Sequence, residues 1–214
     1  HRFDYDRMTK GVQRMLWGFC EKMVLADRLA VLVDAIYAQP AQYAGTLVRL
    51  AAVMYSIQLY LDFAGYSLIA IGSAKIMGIR LMENFNAPYL AGSIAEFWRR
   101  WHISLSTWLR DYVYIPLGGN RKGRIRQYLN ILIVFFISGI WHGSDVTFLI
   151  WGMLHGLYQL AGIAVMPVRN KAVSLLKLDR NSLTHRIWKI AVTFILVTFA
   201  WIWFRADSIS HAVQ

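Results

Sequence analysis

Residues 128–141 form an apolar run without a charged side chain, and this run most constrains how the chain can fold. Fourteen helical residues rise about 21 Å, whereas the hydrocarbon core of a bilayer is about 30 Å thick. A helix over this run would therefore cross most of a membrane. The run ends in Trp141-His142-Gly143, which places an imidazole at or near bilayer depth. Because ionisable groups are costly in lipid, such a histidine is a candidate functional group that faces a protein-lined depression.

The composition supports a membrane protein. The chain is 57% hydrophobic and contains nine Trp, and its mean hydropathy is +0.39. These values are too apolar for an ordinary soluble domain. The alternative, a soluble protein with a large helical core, accounts less well for several runs that approach spanning length. The predicted fold class is therefore all-α, a polytopic transmembrane helical bundle with interfacial amphipathic helices.

Hydrophobic periodicity divides the chain into spans and interfacial segments. Two charged pairs interrupt residues 10–37, which predicts a pair of partly buried or interfacial helices there. Residues 94–112 are amphipathic at helical period and predict one helix that lies in the interface or packs half in the bundle. Residues 115–120, rich in Gly and Pro, predict a non-helical loop. Spans are predicted over residues 47–63, 64–79, 128–141, 146–166 and 190–204.

The basic residues predict the orientation. The net charge is +11, and much of the excess lies in two loops, residues 121–126 and 167–189. Two spans separate these loops, so both lie on one side, which the positive-inside rule makes cytoplasmic. In a membrane protein, such basic loops more often determine membrane topology and contact anionic lipid than bind nucleic acid. No nucleic-acid partner is predicted.

The chain is predicted to be a single membrane domain over residues 1–214. It opens at His1 rather than Met, which predicts a core segment of something longer. The lone Cys20 excludes an internal disulfide and a multi-cysteine metal site. Motifs for zinc hydrolysis, nucleotide hydrolysis and serine-triad chemistry are missing from the sequence, so no metal site is predicted.

Three of the six histidines are candidates for a site. His1, His185 and His211 lie in polar or terminal stretches and are taken as incidental. His142 is either a general base or an interfacial helix-capping residue, and burial favours the neutral imidazole that a base requires. His102 lies between the apolar and charged sectors of the amphipathic segment, where it contacts a reactant or is merely exposed. His155, in the middle of a span, is expected to make a polar contact between helices.

Two further features have open interpretations. Asp62 lies among apolar residues and is expected to pair with Arg49 or Lys75, or to orient a histidine. A structural ion pair is the preferred interpretation. The small residues of the span 64–79 permit close helix contact. Gly65, Gly72, Ser73 and Gly78 could alternatively leave room for a wet path through the membrane.

Several motifs, taken together, resemble the membrane-bound O-acyltransferase (MBOAT) family. The segments that carry the resemblance extend over nearly the whole chain, in order: Lys10–Leu32, Asp62-Phe63-Ala64-Gly65-Tyr66-Ser67, Glu96-Phe97-Trp98-Arg99-Arg100-Trp101-His102, Trp108-Leu109-Arg110-Asp111-Tyr112, Tyr114–Asn120 and Trp141-His142-Gly143. The resemblance is greatest to the bacterial alginate O-acetyltransferase branch. The loop 115–120 favours this branch over the teichoic-acid D-alanyl transfer branch.

The resemblance implies a function and its residues. His142 matches the family's catalytic histidine, and His102 matches a second histidine near the reaction chamber. An acyl group, expected to be acetyl, would pass from a cytoplasmic donor such as acetyl-coenzyme A to a polysaccharide outside a bacterial inner membrane. No tightly bound cofactor is implied. The implied partner is a separate exported acetyltransferase, and family members extend beyond both ends of this segment.

Two other functions stay open at this point. A transport or scaffold component of a polysaccharide-export system could use the same histidines to line a polar path. A catalytically idle homologue could only dock a partner. Loss of acyl transfer in a folded His142→Ala variant would favour the enzyme, whereas unchanged transfer would favour one of the other two.

Overall fold

The computed structural model describes residues 4–175, 179 and 182–213, and within these ranges it contains helices and no strand. Four of the described helices are long and apolar enough to cross a membrane. The predicted all-α class is therefore confirmed. The chain divides into two compact units, one that ends at Phe85 and one that covers Asn86–Val213. The prediction of a single domain stays a prediction.

The first unit is largely helical and is dominated by one long helix. Its helices are α1 (Tyr5–Phe19), a π-helical turn (Cys20–Ala26), α2 (Asp27–Ala38), a 3-10 turn (Pro40–Gln42) and α3 (Gly45–Ile76). Asp4 caps α1, because its carboxylate accepts the backbone N–H of Arg7 at 2.9 Å. The prediction of two spans over 47–63 and 64–79 is wrong. They form one helix of 32 residues, since Gly65 lies inside the helix and does not end it.

Four glycines explain how α1 lies against α3. A Cβ on Gly18 would stand 2.6 Å from the carbonyl oxygen of Gly65, and one on Gly72 would stand 2.6 Å from that of Gly11. The two backbones thus touch at two points, seven residues apart on each helix. Close contact through small residues is confirmed. The alternative that Gly65 and Gly72 leave room for a wet path is wrong, because the backbone of α1 fills that space.

Asp62 makes an ion pair, but with neither predicted partner. Its carboxylate accepts a hydrogen bond from Lys22 Nζ, which the π-helical turn carries toward α3. The carboxylate and the ammonium group are both partly exposed. The preferred interpretation of a structural ion pair therefore holds, and Arg49 and Lys75 were the wrong partners.

The second unit begins with short helices and continues into long ones. Its elements are a 3-10 turn (Pro88–Leu90), α4 (Ile94–Arg100), α5 (Ile103–Leu109), a π-helical turn (Arg110–Tyr114), α6 (Arg124–His142), α7 (Val146–Leu175), α8 (Leu183–Arg205) and α9 (Ile209–Val213). Ser93 caps α4 through the backbone N–H of Glu96. Burial opposes ionisation of Glu96, but the Gly92 N–H and Arg100 together hold the pKa of its carboxyl below the ordinary value.

The segment 94–112 differs from the predicted single helix. Trp101 and His102 interrupt it, and His102 has φ +42°, a left-handed conformation that is uncommon for a residue other than glycine. The predicted apolar face is buried at Ile94, Phe97, Trp101 and Leu105, whereas Trp108 and Tyr112 are exposed. The break changes the direction of the chain between α4 and α5, so a single helical periodicity does not predict which residues of both helices are buried.

Glycines also set the contact between α6 and α7. A Cβ on Gly152 would lie 2.4 Å from the carbonyl oxygen of Phe135 and 3.2 Å from the backbone nitrogen of Gly139. A Cβ on Gly139 would lie 2.8 Å from the carbonyl oxygen of Phe148. The two helices therefore cross backbone to backbone just below His142, the last residue of α6.

The segment 167–189 is only partly the predicted loop. Helix α7 continues through Pro167 to Leu175, and α8 begins at Leu183. The predicted span 146–166 therefore ended too early, and the predicted span 190–204 began too late. Residues 176–178 and 180–181 lie outside the described residues, as does His1.

The predicted loop 115–120 is confirmed as non-helical, and buried Asn130 holds it by donating to the carbonyl oxygens of Leu117 and Gly119 at 3.3 and 2.9 Å.

Candidate functional site

His142 ends α6 and binds back to its own helix. Its Nδ1 lies 2.6 Å from the carbonyl oxygen of Ser138, one turn earlier. A carbonyl oxygen can only accept, so Nδ1 carries the proton and the neutral ring has its lone pair on Nε2. The capping contact that the sequence left as an alternative is therefore present. It does not compete with a role as a base, because it occupies only one ring nitrogen.

Aromatic rings surround His142. Its ring centroid lies 4.8 Å from that of Trp141, 4.7 Å from Trp151 and 5.4 Å from Phe204, all edge to face. Helices α6, α7 and α8 each supply one of these rings. The arrangement fixes the imidazole plane and keeps most water away, while the side chain stays partly accessible. Such surroundings disfavour a charged ring at rest.

Gly143 is required by the packing rather than by its backbone angles. Its φ of 169° is extended, which any residue can adopt. A Cβ there would lie 2.4 Å from the ring of Phe148. The Phe148 ring packs edge to face on Phe204 at 5.1 Å, and Phe204 in turn contacts His142. Gly143 thus leaves the space in which Phe148 supports Phe204, and Phe204 in turn positions His142.

His102 lies near His142, and both rings contact Trp141. The centroids of the His102 and Trp141 rings are 6.0 Å apart, and the His102 Nδ1 lies 3.3 Å from the Ser104 hydroxyl. Burial, with a smaller contribution from the neighbouring His142, lowers the pKa of His102 to about 4. The structure thus brings the two predicted histidines to one tryptophan, and His102 is neutral at physiological pH.

His155 makes the predicted polar contact between helices. It is fully buried, and Trp98 of α4 donates its indole N–H to His155 Nδ1 at 3.2 Å. Trp151 contacts both His155 and His142, with centroid distances of 5.3 and 4.7 Å. Trp98 of α4 is thus connected through His155 and Trp151 to the aromatic rings around His142.

A cavity of about 620 Å³ reaches Ser138, the residue whose carbonyl oxygen holds His142. One face of α6 forms a wall, from Gln127 through Ile131 and Phe135 to Ser138, while α4, α5, the second π-helical turn and α7 form the rest. Eleven residues of helix span about 16 Å. The cavity therefore runs from near the basic segment 121–126 to Ser138, whose carbonyl oxygen holds His142. Arg99 and Arg110 supply positive charge to its lining.

Sequence reasoning missed Ser138, Trp151 and Phe204. Ser138 carries a usable signal, since a residue four positions before a helical histidine shares its face. Trp151 and Phe204 belong to other helices, so only the packing identifies them. The cavity was missed for the same reason, because five separate elements line it.

The comparisons with known proteins bear on this geometry. The family model described as MBOAT, membrane-bound O-acyltransferase family, matches residues 11–205. The chain belongs to this family. Its similarity to proteins named "Probable alginate O-acetylase AlgI" also places it in that branch: it is 44% identical to the one from Pseudomonas putida, over 98% of this chain. The match covers 41% of that relative, so the chain spans about two fifths of its length.

Two other relatives act on different polymers by name. The chain is 37% identical, over 99% of its length, to the peptidoglycan O-acetyltransferase of Helicobacter pylori. It is 30% identical, over 96% of its length, to the teichoic acid D-alanyltransferase of Bacillus subtilis. Family membership and the four apolar helices make this chain part of a membrane protein.

Proposed function

We propose that the protein transfers an acyl group to a polysaccharide hydroxyl, with His142 as the general base. The observation that carries the proposal is the bond between His142 Nδ1 and the Ser138 carbonyl oxygen, 2.6 Å long. It fixes the tautomer in which Nε2 has a free lone pair. The family match supports this chemistry, because named relatives are O-acetyltransferases.

The reaction follows from this tautomer. His142 Nε2 takes the hydroxyl proton of the acceptor as its oxygen attacks the carbonyl carbon of an acyl thioester. The carbon–sulfur bond breaks, and the thiolate leaves with the proton that His142 then returns. A base of this kind contributes about 10²–10⁴-fold to the rate. Neutral His102 hydrogen-bonds or positions a reactant without adding a second positive charge beside His142.

The cavity below Ser138 is the proposed donor site. A coenzyme A thioester carries several phosphate charges at one end and a long neutral arm that ends in the acyl group. Arg99 and Arg110 suit the charged part, and the apolar wall of α6 suits the arm. The segment 121–126 contributes none of the described lining residues, which favours its interpretation as a topology signal. Acetyl-coenzyme A is the proposed donor.

The orientation completes the proposal. With segment 121–126 at the cytoplasmic face, the Gln127 end of the cavity lies on the donor's side, and the end of α6 lies toward the outer side of a bacterial inner membrane. The acceptor is then an extracytoplasmic polysaccharide such as alginate. A separate exported polysaccharide acetyltransferase is proposed as its partner. Acyl transfer through the membrane thus needs one histidine that is accessible from both sides.

A transfer assay tests the proposal. Membranes from cells that express the protein with its natural termini are supplied with acetyl-coenzyme A labelled in the acetyl group and with alginate oligosaccharide. We expect His142→Ala to reduce transfer at least 100-fold, and His102→Ala to reduce it less. The matched control is His211→Ala, which removes an imidazole from α9. Unchanged transfer by a folded His142→Ala variant would refute the proposal and would favour a transport or scaffold function.

A further inference from the structure

His155 occupies a position that its role as a helix contact does not fully explain. Its ring is nearly parallel to those of Phe97 and Phe135, at centroid distances of 6.2 and 6.1 Å. Its Nδ1 accepts the indole N–H of Trp98. Trp98 and Phe135 both line the cavity. His155 therefore supports two wall residues from behind without lining the cavity itself.

The hydrogen bond determines the state of His155. Because Trp98 can only donate, Nδ1 must accept, and the proton of the neutral ring is on Nε2. Nε2 is buried and has no hydrogen-bond partner among the described residues. A buried donor left without a partner carries a free-energy cost. The protein tolerates this cost and keeps an acceptor in place for Trp98.

We infer that His155 is a positioning residue that holds Trp98 in the cavity wall and thereby sets the affinity for the acyl donor. The inference rests on the proposed function, which assigns the cavity to the donor. Without an acceptor the buried indole N–H must find another partner, and the indole turns to reach it. A wall that is no longer preorganised binds its ligand more weakly. The attack step at His142 is not expected to change, since its bond to Ser138 is independent of His155.

Two variants of nearly equal size isolate the hydrogen bond. His155→Asn keeps an acceptor close to the position of Nδ1, whereas His155→Leu removes it. Both lose the ring contacts with Trp151 and Phe135 equally, so these contacts cancel in the comparison. Trp98→Phe removes the donor of the same bond and keeps an aromatic wall. The measurements are kcat and KM for acetyl-coenzyme A, and the Kd of coenzyme A on the purified protein.

We expect His155→Leu and Trp98→Phe each to raise the KM and the Kd about 5- to 10-fold, with kcat changed less than about 3-fold. His155→Asn should stay within about 3-fold of wild type. The double variant, His155→Leu with Trp98→Phe, should bind coenzyme A no more weakly than either single variant, because both substitutions break the same hydrogen bond. Equal values for Asn and Leu, a fall in kcat at constant KM, or additive effects would overturn the inference.

The two proposals can fail separately. If His155→Leu does not fold, the comparison of Trp98→Phe with His155→Asn still decides, because only the first breaks the bond. Equal affinities for these two variants would overturn the inference. If the wild type binds coenzyme A but transfers no acetyl group, the function proposed for His142 fails, and the Kd values still test His155. If the wild type does not bind coenzyme A, the cavity is not the donor site and the inference fails with it.

Discussion

Gly152→Ala should separate α6 from α7 and destabilise the protein measurably. The new Cβ would lie 2.4 Å from the carbonyl oxygen of Phe135, where ordinary contact begins near 3.4 Å. The helices must therefore move apart by about 1 Å at their crossing. Insertion of a methyl group into a packed core costs about 1–3 kcal/mol. Alanine also favours the helix over glycine by about 0.5–1 kcal/mol, which offsets part of this cost.

Gly162→Ala is the matched control on the same helix. A Cβ there meets nothing within 4 Å, so only the helix preference remains. That preference cancels between the two variants, and their difference in unfolding free energy should equal the packing term, about 1–3 kcal/mol. The assay is the fraction of detergent-solubilised protein that stays folded after heating, followed by size-exclusion chromatography. Equal midpoints for the two variants would show that the backbones do not touch at Gly152.

Three further predictions concern the site and its orientation. His102→Gln should flatten the fall in stability between about pH 6.5 and 4. The wild type loses stability there because the unfolded state binds a proton that folded His102, with its pKa of about 4, does not; parallel pH profiles would contradict this. Gly143→Ala should lower transfer about 10-fold or more in the folded protein by pushing the Phe148 ring toward Phe204 and His142, and normal kinetics would argue against this effect. A cysteine at Lys122 should react with impermeant reagents only from the cytoplasmic side, and labelling from outside would reverse the topology.

The sequence predicts the spans well where lipid alone determines the pattern. Helix α6 follows its apolar run closely, because uniform burial in lipid requires nothing else of a segment. It fails where a local signal is overridden. Gly65 looks like a break and Pro167 looks like an end, yet α3 and α7 continue through them. Neighbouring helices and membrane burial favour intact backbone hydrogen bonds more strongly than local propensity opposes them.

The candidate site shows the same limit. His142 was identified from its position at the end of an uncharged run, and His102 from the family motif. The left-handed backbone at His102 could not be predicted, because no periodicity reports a positive φ at a histidine. The tautomer of His142 also required the structure, since it depends on whether Ser138 offers its carbonyl oxygen.

The neutral state of His102 limits what the two histidines can do together. His142 Nδ1 donates to a carbonyl oxygen rather than to a carboxylate, so the imidazolium that forms when Nε2 takes a proton gains little stabilisation from this bond. A second positive charge at His102 would oppose that step, because the rings of His102 and His142 both contact Trp141. The proposed transfer therefore works only while His102 stays uncharged, which its pKa of about 4 ensures at neutral pH. A lysine at position 102 should stop transfer, although it could still donate a hydrogen bond. His102→Gln, which is neutral and can also donate, should retain more transfer. If the lysine variant were as active as the glutamine variant, the charge at this position would not matter and His102 would act only through its shape.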